Sequence, residues 1–445
     1  MRIQQIMTAG ALTCIILTGF FPREACAGER ILDWWICPGE ETCDADALRE
    51  LAADYENENP DIEIRVTILD ALTGEEETAS VLGTGDAPDL ILASPEKIVS
   101  EWADAGLMTE LQDLWDESAG NEICAEVREA CMDRDGKLFM MPLFRTVYSM
   151  AVNYDAFKKA GVLQYLDENV HSWKDTGFVD CVLGIREYSL NHPEANPLAA
   201  YVYCGKGPGQ RQMMSFISNF SNGSLVDEYR TSYTVSSSSN RTTFKTLQAL
   251  SGKGLEFAPD MDGDEENRAF LRGETLLTFS WSAAKQAAWS ENNPDFEIFP
   301  MMYPNSKNLP VLTGEIAGFG VPVKDDHEKR EDVFDFIRYM TEDAGVYAKA
   351  VRSFSGFPTR SLVSGTGIGS LYPGDSTMQL FEGFLAYSGE YIPTMPLFSD
   401  LLEMWPGLLE QIGSGKGVKK LTTQADEKLN RKLEETYGIK AVSLE

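Results

Sequence analysis

Ile31, Leu32, Trp34, Trp35 and Ile36 form an apolar run broken only by Asp33. A strand written this way belongs in a parallel sheet covered on both faces, because a half-solvated strand would alternate. Helices must therefore pack on it. The first follows at once: Leu48, Leu51, Ala52 and Tyr55 recur at helical spacing, with Asp44 or Asp46 as a cap and Pro60 as the stop. Ile62, Ile64, Val66 and Ile68 alternate with Glu63, Arg65 and Thr67, which predicts a strand with one face in water. The turn Ala87-Pro88-Asp89 launches a third strand, Leu90 to Ala93. Strands alternating with helices in this order make an α/β layer fold.

Ahead of the run, Arg2, an apolar stretch from Ala9 to Phe21 and the small-x-small triplet Ala25-Cys26-Ala27 read as an export leader, residues 1–27. That stretch is short for a bilayer span, and no later segment reaches roughly 18 apolar residues, so no permanent transmembrane helix is expected. Cys26 follows Arg23-Glu24-Ala25 and Cys14 follows Ala11-Leu12-Thr13, neither of which is the setting of a lipid-anchor cysteine. The net charge of −32 becomes −33 once the leader's Arg2, Arg23 and Glu24 are removed. Such an acidic surface repels nucleic acid and anionic headgroups. A chain of 445 residues buries a large core and divides into about two domains. Six cysteines follow the leader, an even number that favours disulfides in an exported protein. Proximity suggests Cys37 with Cys43, Cys124 with Cys131 and Cys181 with Cys204.

Further features narrow the family. Asn57-Glu58-Asn59-Pro60 closes the first helix, and Gly83-Thr84-Gly85-Asp86-Ala87-Pro88-Asp89-Leu90-Ile91-Leu92 leads into the third strand. Met150-Ala151-Val152-Asn153-Tyr154-Asp155 runs into a helix ending at Ala160-Gly161-Val162, and Phe270-Leu271-Arg272-Gly273 leads into a strand ending at Trp281. Thr313 to Val323 is a glycine-rich strand, Gly356-Phe357-Pro358-Thr359-Arg360 a turn, and Leu421, Ala425, Leu429 and Leu433 stripe a closing helix. This series resembles the family 1 extracellular solute-binding proteins, the receptor components of bacterial ABC sugar importers. His171-Ser172-Trp173-Lys174-Asp175 matches a family helix start only in part, since the usual preceding prolines are missing.

The resemblance implies a two-lobed periplasmic-binding-protein-like (type II) α/β fold with three hinge crossovers, near Arg145, Phe279 and Val323. Residues 28–145 and 279–323 would form one lobe, and 146–278 and 324–445 the other. It also implies a carbohydrate ligand, an oligosaccharide in the first instance, and membrane permease subunits as partners. The protein would be an exported monomer, periplasmic or on the outer face of the cytoplasmic membrane, without a cofactor.

In open α/β sheets ligands bind beyond the carboxyl ends of strands. Trp34, Trp35, Ser94 and Trp281 fall at or just past such ends, and the resemblance places a ligand-side aromatic at Trp281. A sugar presents an apolar C–H face and a rim of hydroxyls, so it fits an indole plate edged by polar groups. Arg145, Glu315 and Asp89 are candidates for the rim, and Trp405 for a far wall. Plainer roles compete. Neighbours on a strand face opposite ways, so one of Trp34 and Trp35 points into the packing. Asp89 suits capping the turn after Pro88, and Arg145 suits an interlobe ion pair. Trp102, Trp115 and Trp173 lie in helical patterns and read as core.

Asp260-Met261-Asp262-Gly263-Asp264-Glu265-Glu266 is dense in carboxylates but lacks the spacing of a calcium loop. The chain carries no Gly-x-Ser-x-Gly, His-Glu-x-x-His or phosphate-loop motif. Its three histidines, His171, His192 and His327, sit in loop-like surroundings. The expectation is a binding protein rather than an enzyme, with a secreted carbohydrate-active enzyme using paired carboxylates, or a receptor for a non-sugar solute, as the alternatives.

Overall fold

The structure, a computed structural model, describes residues 30–37, 43–70, 73–115, 122–193, 197–291, 295–307, 309–360, 371–389 and 397–439. The expected leader lies outside the described residues.

The described residues contain ten strands: β1 (Arg30–Ile36), β2 (Ile62–Ile68), β3 (Leu90–Ala93), β4 (Met141–Asn153), β5 (Ala200–Tyr203), β6 (Leu255–Ala258), β7 (Leu277–Trp281), β8 (Ile298–Met301), β9 (Thr313–Gly320) and β10 (Phe357–Pro358). The large sheet runs β10-β4-β9-β3-β1-β2, with β7 and β8 also paired to β4, while β5 and β6 form a separate parallel pair. β1 is parallel to both β2 and β3, as the apolar run requires. Leu32, Trp34 and Ile36 are fully buried but Ile31, Asp33 and Trp35 are only half covered, so one face of β1 is packed less completely than expected. The helix Ala45–Glu58 is capped by the Asp44 side chain and buries the expected stripe, Leu48, Leu51, Ala52 and Tyr55.

Two hydrophobic cores form. The first gathers side chains from 32–144 and 316–371, and the second from 147–312, 357 and 378–433. Apart from Phe357 of β10, which reaches into the second core, the described residues pass between cores three times: along β4 between Phe144 and Val147, along β9 between Leu312 and Ile316, and between Leu371 and Met378. The first of these lies beside Arg145. β7 pairs with the second half of β4, and Phe279 packs on Phe178, Phe216 and Tyr203 in the second core. The helices His327–Glu342 and Ala344–Arg352 cover the first core instead, with Phe336 against Trp34 and Tyr55.

All six described cysteines are free thiols, so the expected pairings are not formed. Cys124 and Cys131 cap opposite ends of the helix Ala125–Ala130, separated by about 10 Å of helix rise, too far for a disulfide. Cys181 donates to the Val162 carbonyl and Cys204 to that of Val202. Burial pushes the Cys37 thiol up to about 11 and the Cys204 thiol up to about 12.

Candidate functional site

β4 and β9 are the joint between the cores. They pair antiparallel, Thr146 opposite Glu315 and Tyr148 opposite Thr313, and opposed residues share a face. On β9, Thr313, Glu315 and Ala317 make the half-exposed face while Gly314 and Ile316 are buried. Tyr148 donates to Glu315 Oε2 at 3.1 Å. The Lys285 ammonium lies 5.8 Å from the centre of the Tyr148 ring and donates to Ser280 Oγ at 3.0 Å. Arg145, opposite Ile316, is on the other face, so it and Glu315 do not converge on one ligand.

The expected tryptophans divide as strand geometry demands. Trp34 is enclosed between Phe319 and Phe336, and Trp35 faces the other way, half buried. Trp281 is also buried; its indole N–H donates to Gln286 Oε1 at 2.8 Å and its ring meets the edge of Phe270. Trp405 is buried against Phe244. Ser94 stands just before the short helix Pro95–Lys97 without a side-chain capping bond. Asp89 lines neither of the cavities described below: it accepts from the Asp33 backbone N–H at 2.8 Å and pairs with Lys324 and Lys329, each at 2.6 Å. None of Trp34, Trp35, Ser94, Arg145, Trp281, Glu315 and Trp405 lines either of the two cavities described next.

The first cavity, about 430 Å³, lies on the second lobe and reaches the joint at Thr313. The helix Gln210–Phe220 supplies Arg211, Met214, Ser215 and Ser218, and Phe398 opens a second wall. That helix is placed by two glycines: a Cβ on Gly209, whose φ is +88°, would sit 2.8 Å from Gly263 Cα and 2.8 Å from the Tyr203 hydroxyl. Only glycine fits there. Asn219 fixes the facing loop by donating to the Val311 carbonyl at 2.6 Å and accepting from its N–H at 2.7 Å. The rim is thus hydroxyl, amide and guanidinium over an apolar floor of Met214, Leu225 and Val226.

The second cavity, about 620 Å³, is walled by both lobes. The first lobe brings Glu96, Lys97, Glu101, Asp104, Glu129, Asp133 and Arg134, and the second brings Arg230, Phe398, Asp400 and Tyr437. Burial works against the Lys97 charge, but its hydrogen bond to Glu101 and the nearby Glu75 carboxylate outweigh it and hold the ammonium above its ordinary value. Arg134 sits over the Tyr437 ring at 5.3 Å, a cation–π contact between the lobes. Of the five described non-glycine residues with positive φ, Asn222, Arg230 and Leu397 lie in these cavity walls. Strained backbone of this kind concentrates at binding sites.

The cavities meet at Arg211, which pairs with Glu96 across the lobes and stands 5.8 Å from the centre of Phe398. Phe398 lines both. Sequence reasoning missed this trio; the turn Gly205-Lys206-Gly207-Pro208-Gly209 before the Arg211 helix was the available signal. Among the described residues no group of three or more His, Cys, Asp or Glu could hold a metal, and no helix is long and apolar enough to cross a membrane.

No curated protein matches the chain in sequence. Solved structures do match in fold. The GacH receptor of Streptomyces glaucescens, described unliganded and with acarbose, aligns over 92% of this chain and 99% of its own at 15% identity, TM-score 0.71. UgpB from Mycobacterium tuberculosis in complex with glycerophosphocholine aligns over 92% and 99% at 16% identity, TM-score 0.74. MalE from Bdellovibrio bacteriovorus bound to maltotriose aligns over 90% and 100% at 12% identity, TM-score 0.68. All share the two-lobed architecture. Residues 44–347, well over half of the chain, match the family model for bacterial extracellular solute-binding proteins, and the protein belongs to that family.

Proposed function

We propose that the protein is the receptor of an ABC importer, exported by its leader, and that it holds a carbohydrate, an oligosaccharide in the first instance, in the trough between its lobes. One observation carries this reading. Two separate cores are joined by continuous strands, and a trough with walls from both lobes adjoins, at Phe398, a cavity that reaches that joint at Thr313. Hinged lobes of this kind close around a ligand, and the closed form is what a permease would recognise.

The chemistry of the walls favours a neutral, hydroxyl-rich ligand. Ser215, Ser218 and Thr313 can donate and accept at once, and Phe398 offers an apolar surface to a ring face. Phe398 and Tyr437 take the stacking role first expected of Trp281, whose ring is spent on packing. The carboxylates of the second cavity disfavour anionic solutes. GacH and MalE, with acarbose and maltotriose, support a sugar; UgpB, with glycerophosphocholine, keeps a non-sugar solute as the second reading. The ligand leaves unaltered.

A thermal-shift screen over mono- and oligosaccharides tests the reading, since a ligand that binds only the folded state raises the melting temperature. Stabilisation by a neutral saccharide recovered intact by mass spectrometry is the expected result. Stabilisation by peptides, polyamines or glycerophosphocholine alone, or cleavage of the saccharide, would overturn it.

A further inference from the structure

The two cavities abut at one junction, made of Glu96 from the first lobe and Arg211 and Phe398 from the second. Glu96 retains 12% and Arg211 19% side-chain exposure, so the pair fills the junction rather than lying at its rim. Each chamber alone, about 430 and 620 Å³, lies in the range of sites that enclose one small ligand.

Resting on the carbohydrate reading above, we infer that the Glu96–Arg211 pair is a partition that sets the length of saccharide the receptor accepts. The guanidinium stands over the Phe398 ring and covers the surface on which a sugar residue would stack in passing from one chamber to the other. A chain spanning both must lift Arg211 from the ring and from Glu96. Removing one partner of a largely enclosed ion pair leaves the other charge unpaired, which is strongly unfavourable. Short ligands leave the pair intact and avoid that cost. The pair also joins the lobes, so a ligand that breaks it loses an interlobe contact that a shorter one keeps.

The test is calorimetric titration of the full chain with a homologous oligosaccharide series of increasing length, on the wild type, Glu96→Ala, Arg211→Ala and the exchanged pair Glu96→Arg with Arg211→Glu, each checked for native circular dichroism. In the wild type, affinity should rise with length and then level off. In either alanine variant it should go on rising, with a gain of about tenfold on chains beyond the wild-type limit. The exchanged pair should restore the plateau, which a merely structural loss would not do. Should one alanine variant fail to fold, the other removes the same partition from the opposite lobe. A length profile unchanged in the alanine variants overturns the partition while leaving the carbohydrate reading standing. Failure of the wild type to bind any saccharide overturns both.

Discussion

Tyr148 on β4 donates its hydroxyl proton to Glu315 on β9 at 3.1 Å, tying together the two strands that run from one core into the other. The bond lies on the half-exposed face of the joint, beside Lys285. Tyr148→Phe keeps the buried ring and removes only the hydroxyl. We expect a loss of about 0.5–1.5 kcal/mol in urea unfolding. Stability equal to the wild type would show that the bond does not brace the joint.

Asp89 is a second fixed point, in the first lobe. Its carboxylate is 3% exposed and holds the β1 backbone at Asp33 together with Lys324 and Lys329. Asp89→Ala leaves the ammonium groups without their shared partner and should destabilise by about 3–5 kcal/mol. Asp89→Asn, which can still accept from the Asp33 N–H, should lose less. Denaturant midpoints of the two variants check the order, and equal losses would contradict it.

The buried Glu266 makes stability depend on pH. Burial pushes its carboxyl up to about 8, and hydrogen bonds from Thr278 and Asn267, with the charge of Lys285 nearby, only partly offset this. Between the ordinary value of 4.5 and about 8 the folded state binds the proton and the unfolded chain does not, so stability falls as pH rises through that window and levels off above it. Glu266→Gln mimics the neutral acid. Its stability should approach the wild type's near pH 5 and exceed it by on the order of 1–3 kcal/mol near pH 9. Melting curves at the two pH values measure this; a difference independent of pH would mean that Glu266 is ionised throughout.

Trp281 and Phe398 should behave oppositely. Trp281→Ala opens a cavity beside Phe270 and Gln286 and should cost about 3–5 kcal/mol of folding stability. Phe398, half buried between the cavities, should lose about 1–3 kcal/mol of ligand binding on change to alanine, with a much smaller effect on melting. Unfolding curves and titrations on both variants separate the roles, and an exchange of the two effects would return the binding role to Trp281.

Much of the architecture could be read from the residues. The apolar run of β1, the stripe Leu48, Leu51, Ala52 and Tyr55, and the alternation of β2 obey local periodicities. Which half of β4 each partner strand joins was not legible, because nothing local distinguishes β7, which pairs with its far half, from β9, which pairs with its near half. The site was less legible. A tryptophan at a strand end signals a large ring to bury, and burial in a core satisfies that demand as well as a ligand does; Trp281 also finds Gln286 for its N–H. Glu96, Arg211 and Phe398 are distant in sequence and carry no shared motif. They meet only through packing, at the glycine contact under the Arg211 helix and at the closing of the lobes.

Capture of a neutral saccharide in the trough between the lobes, as proposed above, requires a ligand that Phe398 helps to hold. Isothermal titration of the wild type and Phe398→Ala with a panel of neutral oligosaccharides, glycerophosphocholine and tripeptides tests it most directly. We expect single-site binding of at least one oligosaccharide by the wild type, with affinity reduced about tenfold or more in Phe398→Ala. Titration of glycerophosphocholine or a tripeptide with no heat from any oligosaccharide, or saccharide binding indifferent to Phe398, would contradict it.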